Sequence, residues 1–196
     1  MKTIQYFFFV SLATILMAAD CSNKDNEFYN DVFVTSDNLV VVASSDVPGD
    51  QTIFVQANIP RLLTVPNMAH PLDIYKTTGG AAKLNFSYEL EREIDGGFVY
   101  IDIENNQVQN IKGQSETGSF VLAKSVYNTV TESYEYLAGI KNLPAGNYRL
   151  SFGYNSNANN IVEMRSESVG NNLFLNLNSP NTTDLDGTGY FHFTVL

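Results

Sequence analysis

The chain lacks tryptophan and contains only one cysteine and two histidines in 196 residues. A single cysteine excludes an internal disulfide bond. His70 and His192 have no partner at metal-ligand spacing, so no zinc site is expected. Lys and Arg number 11 against 21 Asp and Glu, a formal charge of −10. Such a surface repels phosphate backbones, and we therefore expect no nucleic-acid partner.

Long apolar runs are also absent, except at the N-terminus. Tyr6 to Ala19 follows Lys2 and is shorter than the roughly 20 apolar residues that a membrane span needs. This pattern predicts an export signal over residues 1–20. Cys21 comes directly after it, as in bacterial lipoprotein signals, which this segment resembles with Asp20 in place of the usual small residue. The resemblance implies lipidation of Cys21 and a membrane anchor, and the alternative is ordinary cleavage beside a spare cysteine.

Residues 21–30 are predicted to form a flexible tether. Ser22 to Glu27 is polar and acidic and resembles the surface-export signal of lipoproteins in one group of Gram-negative bacteria. The alternative is a plain solvated linker. The resemblance implies a lipid-anchored protein of the outer membrane, exposed at the cell surface.

Residues 31–196 are predicted to form one all-β domain. Short runs of β-branched and aromatic residues recur between turn signals, and no convincing amphipathic helix occurs. Alternation is cleanest from Leu84, and Asp95-Gly96 predicts a two-residue hairpin turn into a strand over Phe98 to Ile103. Pro60 to Gly80 and Asn155 to Thr188 interrupt the strand pattern and are interpreted as long insertions.

The segment Leu143-Pro144…Gly146…Tyr148 resembles the corner of fibronectin type III and related immunoglobulin-like domains. The resemblance implies an immunoglobulin-like antiparallel β-sandwich with loop insertions. It also implies that Tyr148 is buried, with its hydroxyl bonded to backbone a few residues upstream.

One strand face is predicted to be acidic. In the expected hairpin register, Tyr88 pairs with Ile103 and Leu90 with Ile101 on the core side. The outward residues are then Glu89, Glu91, Glu93, Phe98, Tyr100 and Asp102. Like charges placed opposite one another destabilise a sheet, so either neighbouring basic residues neutralise this face or a partner contacts it. A solvated face is the favoured interpretation.

His70 and Tyr75, in the first insertion, are further candidate binding residues.

Few residues suggest chemistry. Asp184 and Asp186 precede Gly187 and superficially resemble a calcium loop, but calcium needs about six to eight oxygen ligands, so a turn is favoured. We expect no catalytic residues and no cofactor.

The expected function is a non-catalytic surface lipoprotein that binds or assembles with a protein partner. The alternative is a glycan-binding accessory lipoprotein of a polysaccharide uptake system, which the absence of tryptophan disfavours.

Overall fold

The computed structural model describes residues 29–35, 39–65, 67–155, 159, 161–167, 172–178 and 185–196, with the backbone alone for 29–35, 155 and 172–178. The predicted signal segment, Cys21 and Asp184 lie outside these residues. The predicted tether overlaps them only at residues 29 and 30, where the first strand begins.

The structure is mostly β, as predicted from the sequence. Within the described residues, one helical turn, α1 (Ile74–Thr77), and two 3-10 turns, Asn105–Gln107 and Gly153–Asn155, accompany the strands. The strands are β1 (Tyr29–Thr35), β2 (Val40–Ser44), β3 (Ile53–Pro60), β4 (Leu62–Leu63), β5 (Leu72–Asp73), β6 (Lys83–Ile94), β7 (Gly97–Tyr100), β8 (Val108–Lys112), β9 (Gln114–Glu116), β10 (Val121–Asn128), β11 (Ser133–Ile140), β12 (Gly146–Ser151), β13 (Ile161–Ser166), β14 (Asn172–Asn178) and β15 (Phe191–Val195).

Among the described residues, thirteen strands form one large, mostly antiparallel sheet. Its main path runs β1-β14-β13-β6-β10-β11-β3-β2, with β1 and β14 parallel. The strands β12, β15 and β7 extend the sheet from β6, while β8 and β9 join β11 and β10. The short strands β4 and β5 pair with each other.

The 12-residue strand β6 connects the two parts of this sheet. Its first half pairs with β10 and β13, and its second half pairs with β12 and β7. Residues Phe86 to Glu91 are all buried, so this stretch is covered on both faces. The predicted alternation is therefore correct for the core side, where Leu84, Phe86, Tyr88 and Leu90 lie, but the opposite side is not open to solvent.

The β6–β7 hairpin has the predicted two-residue turn. Asp95 and Gly96 have φ angles of 53° and 82°, which a tight hairpin turn of this type requires. The strand prediction extended too far, because β7 ends at Tyr100. Beyond it, Ile103 N–H donates to the carbonyl of Gly118, and Tyr88 pairs with Val121 rather than with Ile103.

Both predicted insertions contain regular structure. The Pro60 to Gly80 segment was expected to be irregular, but it includes β4, β5 and α1. Asp73 caps α1 and also binds the guanidinium of Arg61 at 2.9 Å. The second insertion contributes the strands β13 and β14 to the large sheet.

The corner before β12 is fixed by a tyrosine. Tyr148 is 1% exposed, and its hydroxyl donates to the carbonyl of Pro144 at 2.6 Å. Leu143 is also buried. A Cβ added to Gly146 would lie 3.0 Å from Arg92 Nε, so the Arg92 side chain approaches this glycine closely. The corner therefore has the upstream hydrogen bond that the sequence predicts for Tyr148.

Candidate functional site

The strands β7, β6, β12 and β15 lie side by side and share one outward face, which we call the hairpin face. Directly paired residues in antiparallel strands point to the same side of a sheet. The first row across the four strands is Tyr100, Glu91, Arg149 and His192. This row brings one basic residue of β12 next to the predicted acidic strand.

Arg149 is held between two aromatic rings. Its guanidinium carbon lies 4.4 Å from the ring centre of Phe98 and 3.8 Å from that of Tyr190. Its Nη2 donates to Glu91 Oε2 at 2.7 Å. Cation–π contacts and a charge-assisted hydrogen bond together fix the orientation of this side chain.

Two acidic residues of this face are buried, so the prediction of a solvated face is wrong for Glu89 and Glu91, whereas Glu93 is exposed. Glu89 and Glu91 are only 6% and 2% exposed. Arg149 neutralises Glu91, and Ser151 donates to Glu89 at 3.0 Å. Burial raises the pKa of Glu89, and the charge of Glu91 adds to this shift, against hydrogen bonds from Ser151 and Tyr100.

Two atoms in this network have no hydrogen-bond partner among the described residues. They are Glu91 Oε1 and Arg149 Nε, and both are buried. Buried polar atoms normally find a protein or water partner. Within the described residues, the Glu91–Arg149 pair therefore uses only part of its hydrogen-bonding capacity.

A second row of the hairpin face lines a shallow depression. Thr194 Oγ1 donates to Asn147 Oδ1 at 2.9 Å, and Asn147 Nδ2 donates to Glu93 Oε2 at 2.8 Å. Phe98 of β7 is paired with Glu93 of β6. The residues lining the depression are Glu93, Phe98, Asn147, Tyr148, His192, Phe193 and Thr194. The depression therefore combines a polar strip with an aromatic side chain.

His192 lines this depression and contacts Asp186. His192 Nε2 lies 2.8 Å from Asp186 Oδ2, and the His192 ring is 5.7 Å from the Phe98 ring centre. Burial opposes ionisation of Asp186, but hydrogen bonds from the Tyr190 backbone, Thr188 and His192 hold its pKa below the usual range. Asp186 thus organises a turn, as the sequence predicts, and orients His192.

The other predicted binding residues are not part of the depression. Asp102 is exposed in the loop after β7. Tyr75 stacks on Tyr127 with ring centres 4.4 Å apart and packs against the core, and His70 lies in the exposed loop before β5.

Sequence reasoning missed Arg149, Asn147 and Thr194 as site residues. In the sequence, Asn147 and Arg149 alternate with Tyr148 and Leu150, which is typical of residues on the outward face of a strand, but no local signal indicates that β12 lies next to β6.

Within the described part of the chain, no group of three or more His, Cys, Asp or Glu side chains could hold a metal ion. No helix in that part is long and apolar enough to cross a membrane. No family model, no curated protein and no solved structure matches this chain.

Proposed function

We propose that this chain is a non-catalytic lipoprotein of the outer membrane, anchored through Cys21 and exposed at the cell surface, and that its β domain binds a protein partner. The anchor is supported by the apolar run that ends just before the chain's single cysteine. Binding is supported by the outward side chains and the open edge of the β6–β7 hairpin.

The exposed edge of this hairpin is the observation that carries the binding proposal. Within the described residues, β7 pairs with β6 alone. Ile94, Val99 and Tyr100 are 48%, 50% and 59% exposed. Unpaired strand edges with apolar side chains invite association and are usually covered or charged. A partner that adds a strand to β7 would cover these side chains and satisfy the free backbone groups.

The anchor is tested by Cys21→Ser. The acyl chains would be attached through this thiol, so we expect the variant to leave the membrane fraction after a carbonate wash while the wild type stays. Fractionation followed by immunoblotting measures the distribution. A Cys21→Ser protein that remains in the washed membranes would contradict lipid anchoring.

The protein partner is tested by photo-crosslinking in cells. A photoreactive amino acid at Val99 should give a covalent adduct of higher mass, identified by mass spectrometry. Val130 is the matched control, because it is 89% exposed but lies in the β10–β11 turn. Charging the edge with Tyr100→Lys should reduce the adduct at Val99. Equal adduct yields at the two positions, or none at Val99, would refute binding through the hairpin edge.

Glycan binding is a second candidate function, favoured by the depression beside Phe98. Ligand sites are concave and combine apolar walls with a few fixed polar groups. The second row of the hairpin face has both features.

An immunoglobulin-like relationship is part of this proposal. It is supported by the Tyr148 corner, in which the hydroxyl binds the Pro144 carbonyl, together with the antiparallel, mostly β architecture.

A further inference from the structure

We infer that the depression lined by Phe98, Glu93, Asn147 and Thr194 is a subsite for one neutral sugar ring. This inference rests on the second candidate function, glycan binding, and names the place and the class of ligand. It depends on three features of the hairpin face: an oriented aromatic ring, a prearranged polar strip, and the local distribution of charge.

The aromatic ring is Phe98, which is half-buried on β7. Its position is fixed because Arg149 lies against the ring and His192 meets it in a T-shaped contact. A sugar ring has an apolar face of C–H groups that packs well on an aromatic surface. A ring held in place before binding costs little conformational entropy when the ligand arrives.

The polar strip runs across three strands beside this ring. The hydrogen bonds from Thr194 to Asn147 and from Asn147 to Glu93 leave defined capacity for a ligand. Glu93 Oε1 can accept, the second Nδ2 hydrogen of Asn147 can be donated, and the Thr194 oxygen can accept. Sugar hydroxyls both donate and accept, so a strip with both capacities matches them.

The local charge excludes anionic ligands. Glu93 lines the depression, and Asp186 lies 2.8 Å from His192, another lining residue. The nearby cations already have partners, since Arg149 binds Glu91 and Arg92 donates to the Ala145 carbonyl at 2.7 Å. A phosphate or an acidic sugar would meet an unneutralised carboxylate, whereas a neutral ring would not.

The inference is tested with the full-length, detergent-solubilised protein on an array of neutral, acidic and amino oligosaccharides. We expect binding to one or more neutral oligosaccharides of glucose, galactose, mannose or xylose. Calorimetry with the best array ligand then compares variants. Glu93→Gln, Phe98→Ala and Thr194→Val should each weaken binding by about tenfold, the effect of losing one hydrogen bond or stacking contact in a site.

Asp102→Asn is the matched control, because it removes an exposed carboxylate from the same segment outside the depression and should leave affinity unchanged. Phe98→Ala also removes a contact to Arg149, so Thr194→Val serves as the variant that leaves that contact intact. The inference is overturned if no neutral oligosaccharide binds below about 1 mM, if only amino sugars bind, or if Asp102→Asn weakens binding as much as Glu93→Gln. If no glycan of any class binds, the second candidate function fails as well, whereas neutral-oligosaccharide binding that Glu93→Gln, Phe98→Ala and Thr194→Val all leave unchanged would overturn the subsite alone. The crosslink at Val99 and the membrane retention conferred by Cys21 test the protein partner and the anchor independently of both.

Discussion

Arg149→Ala is expected to lower the free energy of unfolding by about 3–5 kcal/mol, the usual cost of leaving a buried charge without its partner. The substitution leaves Glu91, whose side chain is 3% exposed, without the guanidinium that binds it at 2.7 Å. It also removes the guanidinium packed between Phe98 and Tyr190. Urea unfolding at pH 7, followed by circular dichroism, measures the change.

Two comparisons isolate the buried charge. Arg165→Ala removes an exposed guanidinium that lies 3.8 Å from Glu163, and it should cost less than about 1 kcal/mol. Combining Arg149→Leu with Glu91→Leu removes both charges and should recover most of the lost stability, since paired hydrophobic replacements of a buried ion pair are often neutral. If Arg149→Ala costs no more than Arg165→Ala, the pair does not stabilise the hairpin face.

Local sequence signals predicted the parts of the fold that depend on neighbouring residues. The alternation from Leu84 gave the core side of β6 correctly because the side-chain period of a strand is two. The Asp95-Gly96 turn fixed the hairpin register because few sequences adopt its positive φ angles. The Tyr148 hydrogen bond also depends on neighbouring residues alone, since its hydroxyl donates to a carbonyl only four residues upstream.

The candidate site depends on pairings between distant segments, which local patterns do not specify. Arg149 meets Glu91 across 58 residues of chain, because β12 lies beside the second half of β6. Periodicity places Glu89 and Glu91 on the side opposite the core, but it does not show whether other elements cover that side. Neutralisation by a neighbouring strand was one of the two alternatives for the acidic face, and Arg149 supplies it. The strands β13 and β14 were interpreted as part of an insertion for the same reason. Their partners β6 and β1 are remote in sequence, and β13 follows an Asn-rich segment.

Gly113→Ala is expected to destabilise the domain by about 2–5 kcal/mol. Gly113 lies between β8, which pairs with β11, and β9, which pairs with β10. Its φ angle is +74°, which costs an alanine about 1–2 kcal/mol. An added Cβ would also lie 2.5 Å from the carbonyl oxygen of Lys124 and 3.0 Å from the Tyr136 ring, and such overpacking typically costs about 1–3 kcal/mol.

Gly96→Ala separates the two contributions, because Gly96 has a similar φ of +82° but nothing within 4 Å of an added Cβ. This variant should show only the backbone cost, about 1–2 kcal/mol. The difference between the two variants therefore measures the close approach of the β8–β9 corner to β10 and β11. The corner also positions Ser115, whose hydroxyl lies 2.8 Å from that of Tyr136, which in turn lies 2.9 Å from that of Tyr88. Displacing the β8–β9 corner should thus disturb a hydrogen-bond chain that reaches the centre of β6. Equal costs for Gly113→Ala and Gly96→Ala would show that the corner can move without breaking this chain.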